Sequence, residues 1–179
     1  MKNMNRIKFF FFFVFLTVTF GLQGQVISFE EDDALNAWKC TKGTVTISSA
    51  KVKVGDAALC WNIEPGSVLT AENLISLKTV STKSKGGVNL WIYSSKAMDD
   101  VMQIGFYNAS GVKKCKLDFR MNFVGWRCLW ACFTEDMGHD RTQLTTMKFE
   151  MPAGASGTVY LDYIEFVATS SWQRMPDYQ

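Results

Sequence analysis

Between Cys115 and Phe123 the chain alternates without a break. Cys115, Leu117, Phe119, Met121 and Phe123 are apolar, and Lys116, Asp118, Arg120 and Asn122 between them are polar. Successive side chains on a strand point to opposite sides, so this pattern predicts one buried and one wet face. "TMKFEMP" repeats the scheme, with Met147, Phe149 and Met151 inward and Lys148 and Glu150 outward. Further strand-like runs are "QVISFE", "GTVTIS", "AALCWNIE", "SVLTAEN", "GVNLWIYS", "VMQIGFYN", "GWRCLWACF" and "GTVYLDYIEFV". Turn-forming stretches separate them: "KVGD", "EPGS", "KSKGG", "NASG", "EDMGHD" and "PAGASG". About ten short strands with glycine-rich turns predict an all-β antiparallel β-sandwich, in jelly-roll form. Helical periodicity is almost absent, and "DALNAW" predicts one short helical turn.

The first residues break this pattern. "MKNMNRIK" is basic, the twelve residues from Phe9 to Phe20 are apolar, and "GLQGQ" is small and polar. That order describes a secretory signal peptide, with cleavage expected near Gly24 or Gln25. As a helix the apolar run would span roughly 18 Å, well short of the ~30 Å hydrocarbon core of a bilayer. The expected organisation is a signal peptide over 1–25, a β-sandwich over 26–168 and a linker over 169–179. The protein is expected to be secreted or periplasmic, with no membrane attachment after signal cleavage.

Removing the leader changes the charge. Lys2, Arg6 and Lys8 leave with it, so 16 of the 19 cations face all 17 acids, and the formal +2 becomes −1. A near-neutral chain has no broad basic field, which argues against nucleic acid as a partner. About 154 residues remain, enough for one domain with a sound core. The five cysteines are an odd number, so at least one is unpaired. Cys128 and Cys132 lie four apart in one expected strand, roughly 13 Å between Cα atoms, too far for the under-7 Å span of a disulfide. Most of the five read as small buried apolar side chains. Trp126 and Trp130 share a period-two face with Cys128 and Cys132, a face expected to point inward.

Catalytic and zinc chemistry find little support. The one histidine, His139, lies in the turn "EDMGHD" and is expected to be solvated there. No metal-ligand spacing of His or Cys, phosphate loop or dinucleotide fingerprint is present. Carboxylates are more informative. Asp162 sits mid-strand among Tyr160, Ile164 and Phe166, and a charge on such a face needs a partner or a metal. If the first and last strands are neighbours, Glu30 and Asp162 meet. With Asp56 and backbone carbonyls of the "KVKVGD" turn, Lys53 included, they are expected to form an oxygen cage for a structural calcium ion. Of the aromatics, Trp91 and Tyr93 alternate against Val88, Leu90 and Ile92. They are the pair expected to stack on sugar rings.

Several stretches together resemble one family. "ISFEEDD", "VGDAALCWNIEPGS", "MNFVGWRCLWACFTEDMG" and "GTVYLDYIEF" followed by "WQRMPDYQ" are similar to the N-terminal domain of chondroitin sulfate ABC lyases. The block "NFVGWR…EDMG" matches that family's "FxGWR…DMxG" segment, and "DYQ" resembles its hinge to the next domain. The resemblance runs from about Val26 to Gln179. It implies a galactose-binding-like or carbohydrate-binding-module-like sandwich without catalytic residues, which helps to seat a glycosaminoglycan or supports a downstream helical toroid. The family's catalytic His, Tyr, Arg and Glu set belongs to that toroid. No position here matches it, and His139 belongs to the "EDMG" turn. The implied partners are a polysaccharide and the lyase catalytic domain. The alternative is a free-standing secreted carbohydrate-binding module. An enzyme in its own right is disfavoured.

Overall fold

The structure is a computed structural model that describes residues 25–168. The expected linker, and all of the expected leader except Gln25, lie outside the described residues. Eleven strands and one short helix follow in order: β1 (Gln25–Ile27), β2 (Trp38–Cys40), β3 (Thr44–Ser48), β4 (Ala58–Ile63), β5 (Val68–Ala71), α1 (Ile75–Ser81), β6 (Gly86–Ser94), β7 (Val101–Tyr107), β8 (Lys113–Arg120), β9 (Gly125–Cys132), β10 (Thr146–Glu150) and β11 (Gly157–Ala168).

The strands form two antiparallel sheets. The first runs β3-β4-β11-β6-β9, with β1 also paired to β11, and the second runs β2-β5-β10-β7-β8. Strands distant in sequence lie side by side in both sheets, as expected of a jelly roll. β1 and β4 occupy successive parts of one edge of β11: Ile27 pairs with Ile164, and Leu59 with Leu161. The first and last strands are therefore neighbours.

Period two builds the core. Leu59 and Trp61 of β4, Leu90 and Ile92 of β6, and Ile104 and Phe106 of β7 are fully buried between the layers. Each such side chain contributes about 1.5–3 kcal/mol by leaving water. Phe29 and Trp38 close one end, their rings 5.5 Å apart, and Trp38 stacks at 6.2 Å on Phe149.

Four local expectations are revised. The strand β2 and the helix α1 were not foreseen. Residues 32–37 form overlapping turns, with N–H of Ala34 on the Glu31 carbonyl and of Asn36 on that of Asp33. These match the helical turn expected in "DALNAW", but the chain goes straight on into β2. Helix α1 is only seven residues long and has no side-chain N-cap; it is held by buried Leu77 and Val80 rather than by propensity.

The facing of β9 is reversed. Leu129 and Ala131 point inward, paired with Leu90 and Val88, while Cys128 is exposed and Trp126 and Trp130 are half-buried on the outer face. Arg127 is the polar residue on the inward parity of β9. It stands near the strand's start, where its guanidinium lies over the Phe123 ring at 4.3 Å and reaches solvent. Of the five cysteines, all free, only Cys60, Cys115 and Cys132 are buried.

His139 is not solvated. Its side chain has no exposure, its Nε2 lies 2.8 Å from the Thr142 carbonyl, and its ring packs edge-on to Phe133. Only Nε2–H can donate to that carbonyl oxygen. Nδ1 is left at 3.5 Å from Asp140 Oδ1 without a hydrogen bond. The histidine closes the turn from inside.

Candidate functional site

The Glu30 and Asp162 carboxylates both hold the loop between β3 and β4. Phe29 adopts φ 63°, a left-handed corner that sends its ring into the core and leaves Glu30 outside. Glu30 then accepts N–H bonds from Asp56 and Ala57, both 3.2 Å from Oε1. Gly55, at φ 78°, passes so close that a Cβ there would collide with Glu30 Oε1, so the loop needs glycine at this point.

Asp162 is aimed by a bulge. Between Asp162 and Glu165, β11 carries one residue more than β6, whose partners are Trp91 and Asn89, and Tyr163 takes φ 48°. Such an extra residue re-aims the side chains beside it. Asp162 Oδ2 accepts from the N–H of Lys53 at 2.7 Å and of Val54 at 3.0 Å, and Oδ1 from the N–H of Tyr163 at 2.7 Å.

Asp162 is fully buried. Burial pushes its carboxyl above the ordinary value, the three N–H bonds pull it back, and the charge of Glu30 pushes it up again. Among the described residues no cationic side chain forms an ion pair with either carboxylate. Lys53 instead holds its ammonium 4.1 Å from the Trp91 ring centre. The structure thus gathers Glu30, Asp162 and the 53–56 loop as the sequence suggested, but the loop presents N–H groups rather than carbonyls to the acids. Asp56 meets Glu30 through its own backbone N–H.

Trp91 and Tyr93 lie on the outer face of the first sheet. Neither is open. Lys53 covers Trp91, Lys51 stands 5.4 Å from the Tyr93 ring centre, and Tyr93 packs edge-on against Trp126 at 5.4 Å and Tyr160 at 5.7 Å. The aromatic array continues onto β9 with the residues whose facing was misread. The signal that would have found them is cross-strand: Leu129 and Ala131 match Leu90 and Val88, leaving Trp126 and Trp130 outside.

The outer face of the second sheet is polar and cationic. At its centre the Tyr107 hydroxyl donates to Glu150 Oε1. Lys113 Nζ bridges Glu150 at 2.9 Å and Gln103 at 2.6 Å. The Tyr107 ring lies across Gly105, where a Cβ would come within 3.0 Å of it. Lys148 stands 4.5 Å above that ring. Burial opposes the charge on Glu150, but Tyr107, Lys113 and Lys148 outweigh it and hold the carboxyl below its usual range. Burial and the Glu150 bond push the Tyr107 phenol up.

Two packed antiparallel sheets in this order define a β-sandwich of the carbohydrate-binding-module type. The family 11 carbohydrate-binding module of a cellulosomal cellulase from Clostridium thermocellum superposes with a TM-score of 0.58 at 13% identity, over 83% of this chain and 96% of that one. By sequence, the chain belongs to the family described as the N-terminal domain of lyases, whose model matches residues 23–179. It is 25% identical over 155 residues to a chondroitin sulfate ABC exolyase of Bacteroides thetaiotaomicron, and 26% identical over 160 residues to one of Proteus vulgaris. These alignments cover 84% and 87% of this chain but only 15% and 16% of those relatives.

Proposed function

We propose that this chain is a non-catalytic, secreted accessory domain of a glycosaminoglycan lyase, which binds the polysaccharide or positions the catalytic body. The observation that carries this reading is the family match, which runs over nearly the whole chain and agrees with the sandwich fold. The test is affinity electrophoresis of the purified chain in gels containing chondroitin sulfate. Retardation that fades with added salt is expected. Mobility unchanged by chondroitin sulfate but slowed by neutral glycans would favour the second reading, a free-standing carbohydrate-binding module. That reading is supported by the solved module, nearly all of which superposes on this chain.

The Glu30–Asp162 pair supports a structural calcium site. A buried carboxylate beside a second one lacks a counter-charge, and both offer only oxygen, the donor that hard cations take. No third His, Cys, Asp or Glu side chain joins them among the described residues, and the loop turns N–H groups toward them, so water would complete the shell. The bound ion would supply the missing positive charge, while the N–H bonds from Lys53, Val54 and Asp56 keep the loop in place. Calcium is expected to raise the melting temperature of EDTA-treated protein and not that of Asp162→Asn. Identical melting curves with and without calcium would remove the ion from the account.

A further inference from the structure

One ladder position runs across all five strands of the second sheet. Lys39 of β2 pairs with Thr70 of β5, Thr70 with Lys148 of β10, Lys148 with Gly105 of β7, and Gly105 with Lys116 of β8. Their chain neighbours Trp38, Leu69, Met147, Phe149, Ile104, Phe106 and Cys115 are buried, so this row lies on the outer face. Cations stand on alternate strands, and the small residues Thr70 and Gly105 fill the positions between them.

Neighbouring strands are about 4.8 Å apart, so the lysine Cα atoms recur at roughly 10 Å. That is the length of one disaccharide in an extended chain. We infer that this row is the docking track for an anionic polysaccharide with one acidic sugar per disaccharide, lying across the strands. Lys39, Lys148 and Lys116 would each meet successive sulfate or carboxylate groups; Thr70 separates the first two, and the Tyr107 ring, lying across Gly105, separates Lys148 from Lys116. The inference deepens the proposed polysaccharide binding and rests on it.

The electrostatics of the row suit an exchangeable ligand. Lys148 has no carboxylate within 4.0 Å among the described residues, and its ammonium is held in place over Tyr107. Lys39 pairs with Glu72 at 2.9 Å and Lys116 with Asp118 at 3.4 Å. Both pairs are well exposed, and exposed pairs contribute only about 0–1 kcal/mol, so an anionic ligand can displace the carboxylates. Trp91 and Tyr93, by contrast, are capped by lysines of their own chain.

The test measures binding of the purified chain to chondroitin 4-sulfate across a salt series, with neutral mixed-linkage β-glucan as the comparison. Lys148→Ala is expected to weaken binding about tenfold, the worth of one charge-assisted contact. The triple variant Lys39→Ala/Lys148→Ala/Lys116→Ala should bind too weakly to measure. The slope of log affinity against log salt should fall by about one per lysine removed. Lys83→Ala/Lys96→Ala removes exposed charges elsewhere and should change little. Unchanged melting temperatures show that the variants fold. Wild-type affinity in the triple variant, or salt-independent binding of the β-glucan equal to that of chondroitin sulfate, overturns the track but leaves polysaccharide binding standing. Failure of the wild-type chain to bind either polymer overturns both.

Discussion

Asp162 shows how one residue can carry both a local fold and a liability. Its carboxylate holds three backbone N–H groups. Asp162→Ala strands them in a site with little water. An unsatisfied buried donor costs about 1–3 kcal/mol, and these three share one loop, so about 3 kcal/mol in total is expected. For a domain of this size that lowers the melting temperature by roughly 6–12 °C, measurable by calorimetry. The charge itself acts in the opposite direction. The folded-state pKa is raised, chiefly by burial, so the fold favours the protonated acid. That contribution is present below the ordinary carboxyl value and is lost as pH rises through the raised one. In EDTA, the stability advantage of the wild type over Asp162→Asn should therefore grow as pH falls from about 7 to about 4. A pH-independent difference would show that the charge carries no such cost.

At the scale of elements, ten strands were legible because their alternation is long or their turns well marked. β8 is the clearest case: Cys115 and Phe119 are buried, and Lys116, Asp118 and Arg120 are exposed. β2 and α1 were not legible, since three and seven residues are too few for a period to stand out. β9 failed for another reason. It lies at the edge of its sheet, and its outer face is covered by its own aromatics, so hydrophobicity no longer marks the inside. Half of the candidate site was readable. The meeting of Glu30 with Asp162 followed from the adjacency of β1 and β11, but the bulge at Tyr163 and the N–H donors did not, because they depend on backbone angles. The facing of β9 is testable by alkylation. Cys128 should be the β9 thiol that iodoacetamide reaches in the native protein. It should react slowly, because burial pushes its thiol up to about 11 while nearby Lys53 pulls it back only in part. Its thiol also lies 2.9 Å from Asn89 Oδ1. The rate should climb without a plateau until pH approaches that value. Cys115, buried and pushed up to about 12, should stay unlabelled until the protein unfolds. Mass spectrometry of labelled peptides reads both, and a Cys128 that stays unlabelled until the protein unfolds would overturn the outward facing of β9.

At the scale of the whole molecule the question is whether these groups can break a glycosidic bond. Eliminative cleavage of a uronate polymer requires a proton acceptor beside the sugar carbon next to the carboxylate, and a group that neutralises that carboxylate. The second need could be met on the cationic sheet face. For the first, the one histidine and, at the centre of that face, Tyr107 and Glu150 are each committed elsewhere. His139 has no exposure, and its Nε2 is committed to the Thr142 carbonyl. Tyr107 lies closest to the lysine row, but its hydroxyl donates to Glu150 and its pKa is raised. That moves it away from the working range of a base. Glu150 is ionised, yet its oxygens are taken up by Tyr107 and Lys113. A sheet face that can hold an anionic polymer without a free base nearby should retain it unchanged. The purified chain, incubated with chondroitin sulfate at a concentration that saturates binding, should produce no increase in unsaturated-uronate absorbance and no shortening of the polymer on gels. Absorbance that grows with time and disappears in Tyr107→Phe would show that this tyrosine loses its proton after all, and that the domain is a lyase.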